Sequence, residues 1–499
     1  MFTLIMKAWL YIFAFLFGLS FWAMPTHDPD LGWHLLGGAW TLEHGDVPRQ
    51  DIINSFAVEW IDYHWLAQII FFKIYSFAGF VGLRIFLGLI MALLCMGIMQ
   101  IVITETSKKV SSIVPLLSFL ILATFVGEVT SVRPHVIGLL IILLGFSILR
   151  KSRFKKDFDF KFLLFFVLTA ILSNIHVYWV LMPFLWFVFQ CLPRFYKSNS
   201  STALYAWGGL ILVSFAGFLS PYGIFSSTGS YLANYVVIYD YLVMPKKLRE
   251  FINEFKPGLS AETFVPLLIL FCTALSFRFE NFKKLSAKAG DSILAITALI
   301  LSIRALKFIS LYGIFAAPIV SRNMSTLFRK SLPITDLYLK RFSLPLFAAS
   351  FIYISFHVYT SAPWVLDNSS YMDEYLPIKA CAKIPTLDLS LKTGRDHIRV
   401  MTHFNYGGWC RWIAYETDPN FNMKVTTDGR TQLVPVKDYE ASFDLYRLKN
   451  NWAQTLIKWS PDVVLVEKSS ALAQILIRAP QEWKLVHEDP FFALFLPNQ

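Results

Sequence analysis

Residues 10–34 read LYIFAFLFGLSFWAMPTHDPDLGWH: an apolar run long enough to cross a membrane gives way at Pro25 to a polar loop that lasts until Trp65. The loop holds seven carboxylates, Asp28, Asp30, Glu43, Asp46, Asp51, Glu59 and Asp62, and four histidines, His27, His34, His44 and His64. Its single strong base is Arg49. Acids and imidazoles gathered beside apolar helices suit a place where protons are moved.

The same alternation runs on through the chain. The sequence is 56% hydrophobic with 47 Phe and only 16% charged, well below the roughly 25% charged of a soluble domain. Apolar runs near 8–24, 82–103, 111–127, 136–150, 162–176, 178–192, 202–219, 263–277, 291–306, 308–321 and 343–361 predict an α-helical polytopic membrane protein of about eleven spans. The net charge of +11 is not a nucleic-acid signature, because it is segregated by loop. Loops 104–110, 150–161, 193–201, 278–289 and 321–341 carry 19 Lys and Arg; connections 25–64, 128–135, 220–261 and 304–307 carry eight over a greater length. Basic loops stay cytoplasmic, which puts the N-terminus inside and the C-terminus outside. The first apolar run lacks a small-residue cleavage site, against a cleaved signal peptide.

The chain divides into a transmembrane domain, 1–362, and an extracytoplasmic tail, 363–499. Short β-rich runs at Ile398–Thr402, Met423–Thr427, Asp462–Glu467, Trp483–His487 and Phe492–Leu496 alternate with helical patterns at 437–458 and 469–478. They predict a small α/β domain with a partly parallel sheet, closed by a hairpin at Glu488-Asp489-Pro490. No glycine-rich phosphate loop follows a strand, which speaks against a nucleotide site. Cys95, Cys191 and Cys272 lie within spans; Cys381 and Cys410 lie in the outward tail and are the candidate disulfide pair.

Two helices are expected inside the first loop, 25–64, and its edge. Asp28 or Asp30 caps one through Leu31–His44, with Gly45 as its stop. Trp60–Ala78 forms another, its apolar face broken by Asp62, His64, Gln68 and Lys73. Both read as amphipathic helices lying on the membrane interface.

Asp28 and Asp30 flank Pro29, and Asp30 and His34 share a helix face at i, i+4. A carboxylate there suits a general base on an acceptor hydroxyl, with His34 tuning the proton, or a ligand for a divalent cation such as Mg or Mn. Asp-Pro-Asp is equally good helix-start chemistry. Asp62 and His64 are a second candidate, flanked by interfacial Trp60 and Trp65. Polar groups at outward span ends form a third set: Glu128, Arg133, His135, His176, Tyr222, Arg304 and Lys307. Arginine there suits bidentate contact with a lipid-linked phosphate; snorkelling to headgroups is the alternative. In the tail, Asn405–Trp409 and Asp428–Thr431 follow strands, and their glycines read as turns.

These pieces carry a resemblance. The string Asp28-Pro29-Asp30-Leu31-Gly32-Trp33-His34 after the first span, Glu43–Asp51, Asp62-Tyr63-His64-Trp65, Arg133-Pro134-His135, Ser173–His176, Ser220–Gly223 and both tail strings are similar in order to bacterial polytopic glycosyltransferases of the GT-C fold. The resemblance implies a mannosyltransferase-like enzyme in the bacterial inner membrane. It would transfer a sugar from a polyprenyl-phosphate donor, with inversion, to a glycan, lipid or protein acceptor on the periplasmic side. Asp28 or Asp30 would be the base, and Arg133 and Arg304 phosphate contacts. Many members carry Asp-Glu where this chain has Asp-Pro-Asp, which leaves the identity of the base open. A non-catalytic scaffold subunit of an envelope complex, with a partner-binding tail, is the rival reading.

Overall fold

The computed structural model describes residues 2–23, 28–56, 60–107, 110, 113–127, 131–151, 160–195, 200–223, 287–331, 348, 352, 355–356, 373–391, 394–430, 436–449 and 451–498. The expected span 263–277, nearly all of 343–361, and His27, Glu59 and Glu128 lie outside the described residues.

The chain opens with α1 (Phe2–Leu19), α2 (Leu31–His44) and α3 (Trp65–Glu105). Within α3 the backbone breaks at Gly79, whose φ of 60° is a left-handed value that glycine takes without strain. Two compact units result. One gathers Met1–Met24, Arg84–Ser220 and Met244–Ala362; the other gathers Pro25–Leu83, Pro221–Val243 and Pro363–Gln499. Unlike a cut at residue 362, this division groups the first loop with the tail.

The first unit continues with α4 (Ile113–Gly127), α5 (Pro134–Lys151), α6 (Phe160–Ser173), α7 (Leu181–Trp186), α8 (Leu192–Phe195), α9 (Ser200–Ala216), α10 (Ala287–Arg304) and α11 (Ile309–Ser331). A 3-10 turn, Val177–Val180, precedes α7 and a π turn, Phe187–Cys191, follows it. Helix α11 packs on α4 and α10, and α6 on α9. Among the described residues two helical stretches, Trp65–Glu105 and Val177–Arg194, are long and apolar enough to cross a membrane; the other apolar helices are shorter. The expected count of eleven therefore rests on the sequence alone. Several helices bury one face and expose an apolar stripe at four-residue spacing. On α6, Phe165, Thr169 and Leu172 are buried while Leu163, Val167 and Ile171 are exposed; Ile85, Leu89 and Leu93 form the same stripe on α3.

Four charges tie α3, α5, α10 and α11 together. Arg150 donates through Nε to Asp291 at 2.8 Å and through Nη2 to Glu105 at 2.8 Å. Arg322 Nη1 donates to Glu105 at 2.7 Å and to Asp291 at 2.9 Å. Two cations against two anions leave no net buried charge, the condition under which such a cluster is tolerated.

The second unit is an α/β domain into which the first loop is built. Its sheet comprises β1 (Ile398–Met401), β2 (Met423–Val425), β3 (Val463–Glu467), β4 (Trp483–Glu488) and β5 (Phe492–Pro497), in the order β2-β1-β3-β5-β4. β1 runs parallel to β2 and β3; β3–β5 and the β4–β5 hairpin are antiparallel. The expected strands are all present. Its helices are α12 (Ile378–Lys383), α13 (Phe404–Thr417), α14 (Val436–Tyr446), α15 (Trp452–Trp459) and α16 (Ala471–Arg478). Met401, Leu445, Trp459, Val464, Val466, Leu472 and Phe495 form its core.

Three expectations change here. Helix α2 ends at Gly45 as expected, with φ 68° and its N–H bonded to Thr41 O, but it is buried on nearly every side, not laid on an interface. The helix expected over Trp60–Ala78 starts at Trp65 and runs on to Glu105. Asn405–Trp409 is not a turn but the start of α13. Gly408 serves close approach: a Cβ there would meet Trp33 at 3.0 Å, and one on Gly32 would meet the Trp409 backbone at 2.6 Å. The glycine pair lets α2 and α13 touch backbone to backbone.

Candidate functional site

The acidic loop is held to the tail by backbone and side chain. Val425 donates its N–H to Ile53 O at 2.7 Å, Ser55 donates to Val425 O at 2.8 Å, and Asn54 Nδ2 donates to Thr426 O at 3.1 Å. The loop thus extends the β2 edge. At its other end, Trp409 Nε1 donates to Asp28 O at 2.7 Å.

A buried ion cluster sits between these anchors. Arg430 donates through Nη2 to both oxygens of Asp51, at 2.9 and 3.1 Å, and through Nε to Asp428 at 2.8 Å. Its guanidinium lies 4.5 Å from the Trp60 ring centroid, a stacking that suits the planar cation. Tyr439 donates to Asp428 O. The two carboxylates hold the Arg430 charge firmly, pushing its pKa up despite burial. Asp51 is a site residue that sequence reading passed over; its partner lies 379 positions away.

Asp28 and Asp30 differ in what their carboxylates do. Asp28 Oδ1 accepts the Asp30 N–H at 2.9 Å, an aspartate turn that sets up α2. Asp30 occupies the N-cap of α2 yet makes no side-chain cap bond; its Oδ1 accepts Trp33 Nε1 at 3.0 Å. The capping reading therefore fits Asp28 better than Asp30. His34 is buried, with its ring centroid 5.3 Å from that of His64. Asp62 is buried beside them. Its Oδ1 accepts from His64 N at 3.1 Å and Gln68 Nε2 at 3.0 Å, and its N–H donates to Tyr222 Oη at 2.8 Å. Tyr222 in turn donates to Pro48 O at 2.9 Å. Burial outweighs these bonds and pushes the Asp62 carboxyl up to about 7.

Of the span-end residues, Tyr222 thus joins the loop, whereas Arg133, His135, His176, Arg304 and Lys307 belong to the other unit. His135 and His176 rings lie 6.2 Å apart. His176 Nδ1 accepts the Tyr178 N–H at 3.3 Å, and Tyr178 Oη donates to Lys307 O at 3.2 Å. Lys307 is buried and Arg304 exposed. So His135, His176 and Lys307 are brought together, with Tyr178 added and Arg133 two residues away. Asn174 turns the chain there, donating to Ala170 O and Leu219 O, each at 2.7 Å.

A divalent cation finds two carboxylates at Asp28 and Asp30, each with one oxygen already accepting an N–H. Among the described residues no three His, Cys, Asp or Glu groups come together as a metal site, so the donor set fits a cation in charge but not in number. Cys381 and Cys410, the candidate disulfide pair, are both free, buried thiols.

No protein-family model matches the sequence, and no curated protein does either. Solved structures do. The Archaeoglobus fulgidus oligosaccharyltransferase tethered with an acceptor peptide containing the NVT sequon is 12% identical, with a TM-score of 0.55 over 99% of this chain and 74% of that one. The same enzyme with an inhibitory peptide and a dolichol-phosphate gives 9% and 0.56 over 92% and 69%. Its complex with Zn and sulfate gives 11% and 0.56 over 94% and 69%. At such identities the likeness is one of fold: a mostly helical chain with a small C-terminal sheet.

Proposed function

We propose that the protein is a multi-pass membrane glycosyltransferase that moves a sugar or glycan from a polyprenyl-phosphate carrier to an envelope acceptor outside the cytoplasm. The observation that carries the reading is a fold likeness spanning 99% of the chain to an oligosaccharyltransferase crystallised with an acceptor peptide. Dolichol-phosphate in a second such structure supports a lipid-phosphate donor. The exposed apolar stripes on α3 and α6 support a lipid-facing surface.

Asp30 is the acceptor base in this reading, because its carboxylate is not consumed in capping α2. It takes the acceptor's proton as the acceptor atom bonds to the sugar C1 and the C1–O bond to phosphate breaks, inverting that carbon.

The test is release of polyprenyl phosphate by the purified protein in nanodiscs given a labelled polyprenyl-phosphate sugar and an acceptor extract. Asp30→Asn is expected to slow release about 100-fold or more, as loss of a general base does, and Asp28→Asn much less. Absence of release, or an Asp30→Asn protein as fast as wild type, overturns the proposal and favours the scaffold reading.

A further inference from the structure

In the loop-and-tail unit Asp51, Asp62 and Asp428 are sealed from solvent, at 2%, 1% and 0% exposed. One buried guanidinium serves them. Arg430 directs its bonds to Asp51 and Asp428 and none to Asp62. With Asp51 and Asp428 ionised the cluster already carries one excess negative charge. A third buried carboxylate would add another with no cation bonded to it, an arrangement proteins avoid by protonation.

The hydrogen bonding around Asp62 points the same way. Gln68 Nε2 donates to Asp62 Oδ1, yet Asp62 Oδ2 and Gln68 Oε1 are both buried without a partner. Two orphaned acceptors thus lie on two residues already joined by one bond, where leaving either unsatisfied is costly. A single proton removes both deficits. We propose that Asp62 carries its proton in the folded protein at neutral pH, and that the Oδ2 hydroxyl donates to Gln68 Oε1, closing a two-bond acid–amide ring. The burial-driven rise of its pKa to about 7 agrees.

The groups that face Asp62 do not supply an alternative counter-ion bond in this geometry. Tyr222 accepts its N–H, His64 bonds it through the backbone, and Tyr63 is held neutral by burial. Arg430 acts only through space, and His34 lies beyond His64. Arg49 stacks over Tyr222 and ion-pairs with Asp46. The ring joins Asp62, just before α3, to Gln68 in its first turn, beside the Tyr222–Pro48 bond, so loss of the proton loosens the joint that seats the loop. The acid is then a pH-sensitive latch, independent of which substrate the protein takes.

Infrared spectroscopy of the full-length protein in nanodiscs, labelled at aspartate, tests the protonation without any transfer assay. A protonated-carboxyl band is expected that disappears between about pH 6 and about pH 8 and is missing in Asp62→Asn. Asparagine keeps both ring bonds, so Asp62→Asn is expected to unfold at the wild-type temperature in acid and at a higher one above neutrality, whereas Asp62→Ala unfolds earlier at every pH. Absence of the band in wild type, or Asp62→Asn as unstable as Asp62→Ala in acid, overturns the proposal. Should Asp62→Asn not fold, Gln68→Leu decides: a shifted midpoint of the band supports the ring, and an unshifted one overturns it.

Discussion

Half-buried His403 and buried Asp62 show how two shielded groups set opposite pH dependences. His403 caps α13, its Nδ1 accepting the Asn405 N–H at 3.3 Å, among the rings of Phe404, Phe443 and Tyr446. Burial, then Arg447, pushes its pKa from 6.5 to about 4. The unfolded chain takes up a proton that the folded chain refuses, so the contribution is complete above about 6.5 and lost as pH falls toward about 4. Asp62, raised from 3.8 to about 7, runs the other way: its contribution is complete below 3.8 and lost as pH rises to about 7. Over the shared window the two slopes oppose. His403→Asn keeps a capping oxygen and should leave a protein whose unfolding temperature falls with rising pH across that window; an unchanged profile refutes the assignment. Arg430→Met strands Asp51 and Asp428 and is expected to cost about 3–5 kcal/mol in chemical denaturation of the unit. Asp428-Gly429-Arg430 was visible as a turn string, but the role of Arg430 was not, because Asp51 is distant in sequence.

At the scale of elements, periodicity located the strands and α2 because each has one decisive face or a strong stop. The tail strands are β-rich runs bounded by turn residues, and Gly45 ends α2 in a left-handed conformation that few other residues adopt. Helix α13 escaped because Gly407-Gly408 signals a turn locally, whereas the reasons for glycine are the Thr427 backbone against Gly407 and Trp33 of α2 against Gly408. Gly32→Ala places a methyl against the Trp409 backbone and is expected to cost about 1–3 kcal/mol by overpacking, read as a lower denaturation midpoint. Ser470 caps α16, its Oγ accepting the Ala473 N–H at 3.2 Å; Ser470→Ala should cost about 1 kcal/mol. A cost near zero would show that the cap bond is offset by solvent.

For the whole molecule, the grouping of residues 25–83 with the tail changes what a truncation tests. Deleting 363–499 removes the partners of Asp28 O, Asp51, Ile53, Asn54 and Ser55 at one stroke. The expected outcome is rapid proteolytic cleavage within 45–60 in the truncated protein and protection in the full chain. Protection in both would show that the loop folds without the tail. The sequence by itself determined the helical, apolar character of the chain, the small α/β tail and the acid-rich loop, because those follow from composition and period along the chain. Only the tertiary structure decided which acids are paired with Arg430 and which is buried away from it. Burial and charge pairing are set by residues hundreds of positions apart, and no local pattern records them.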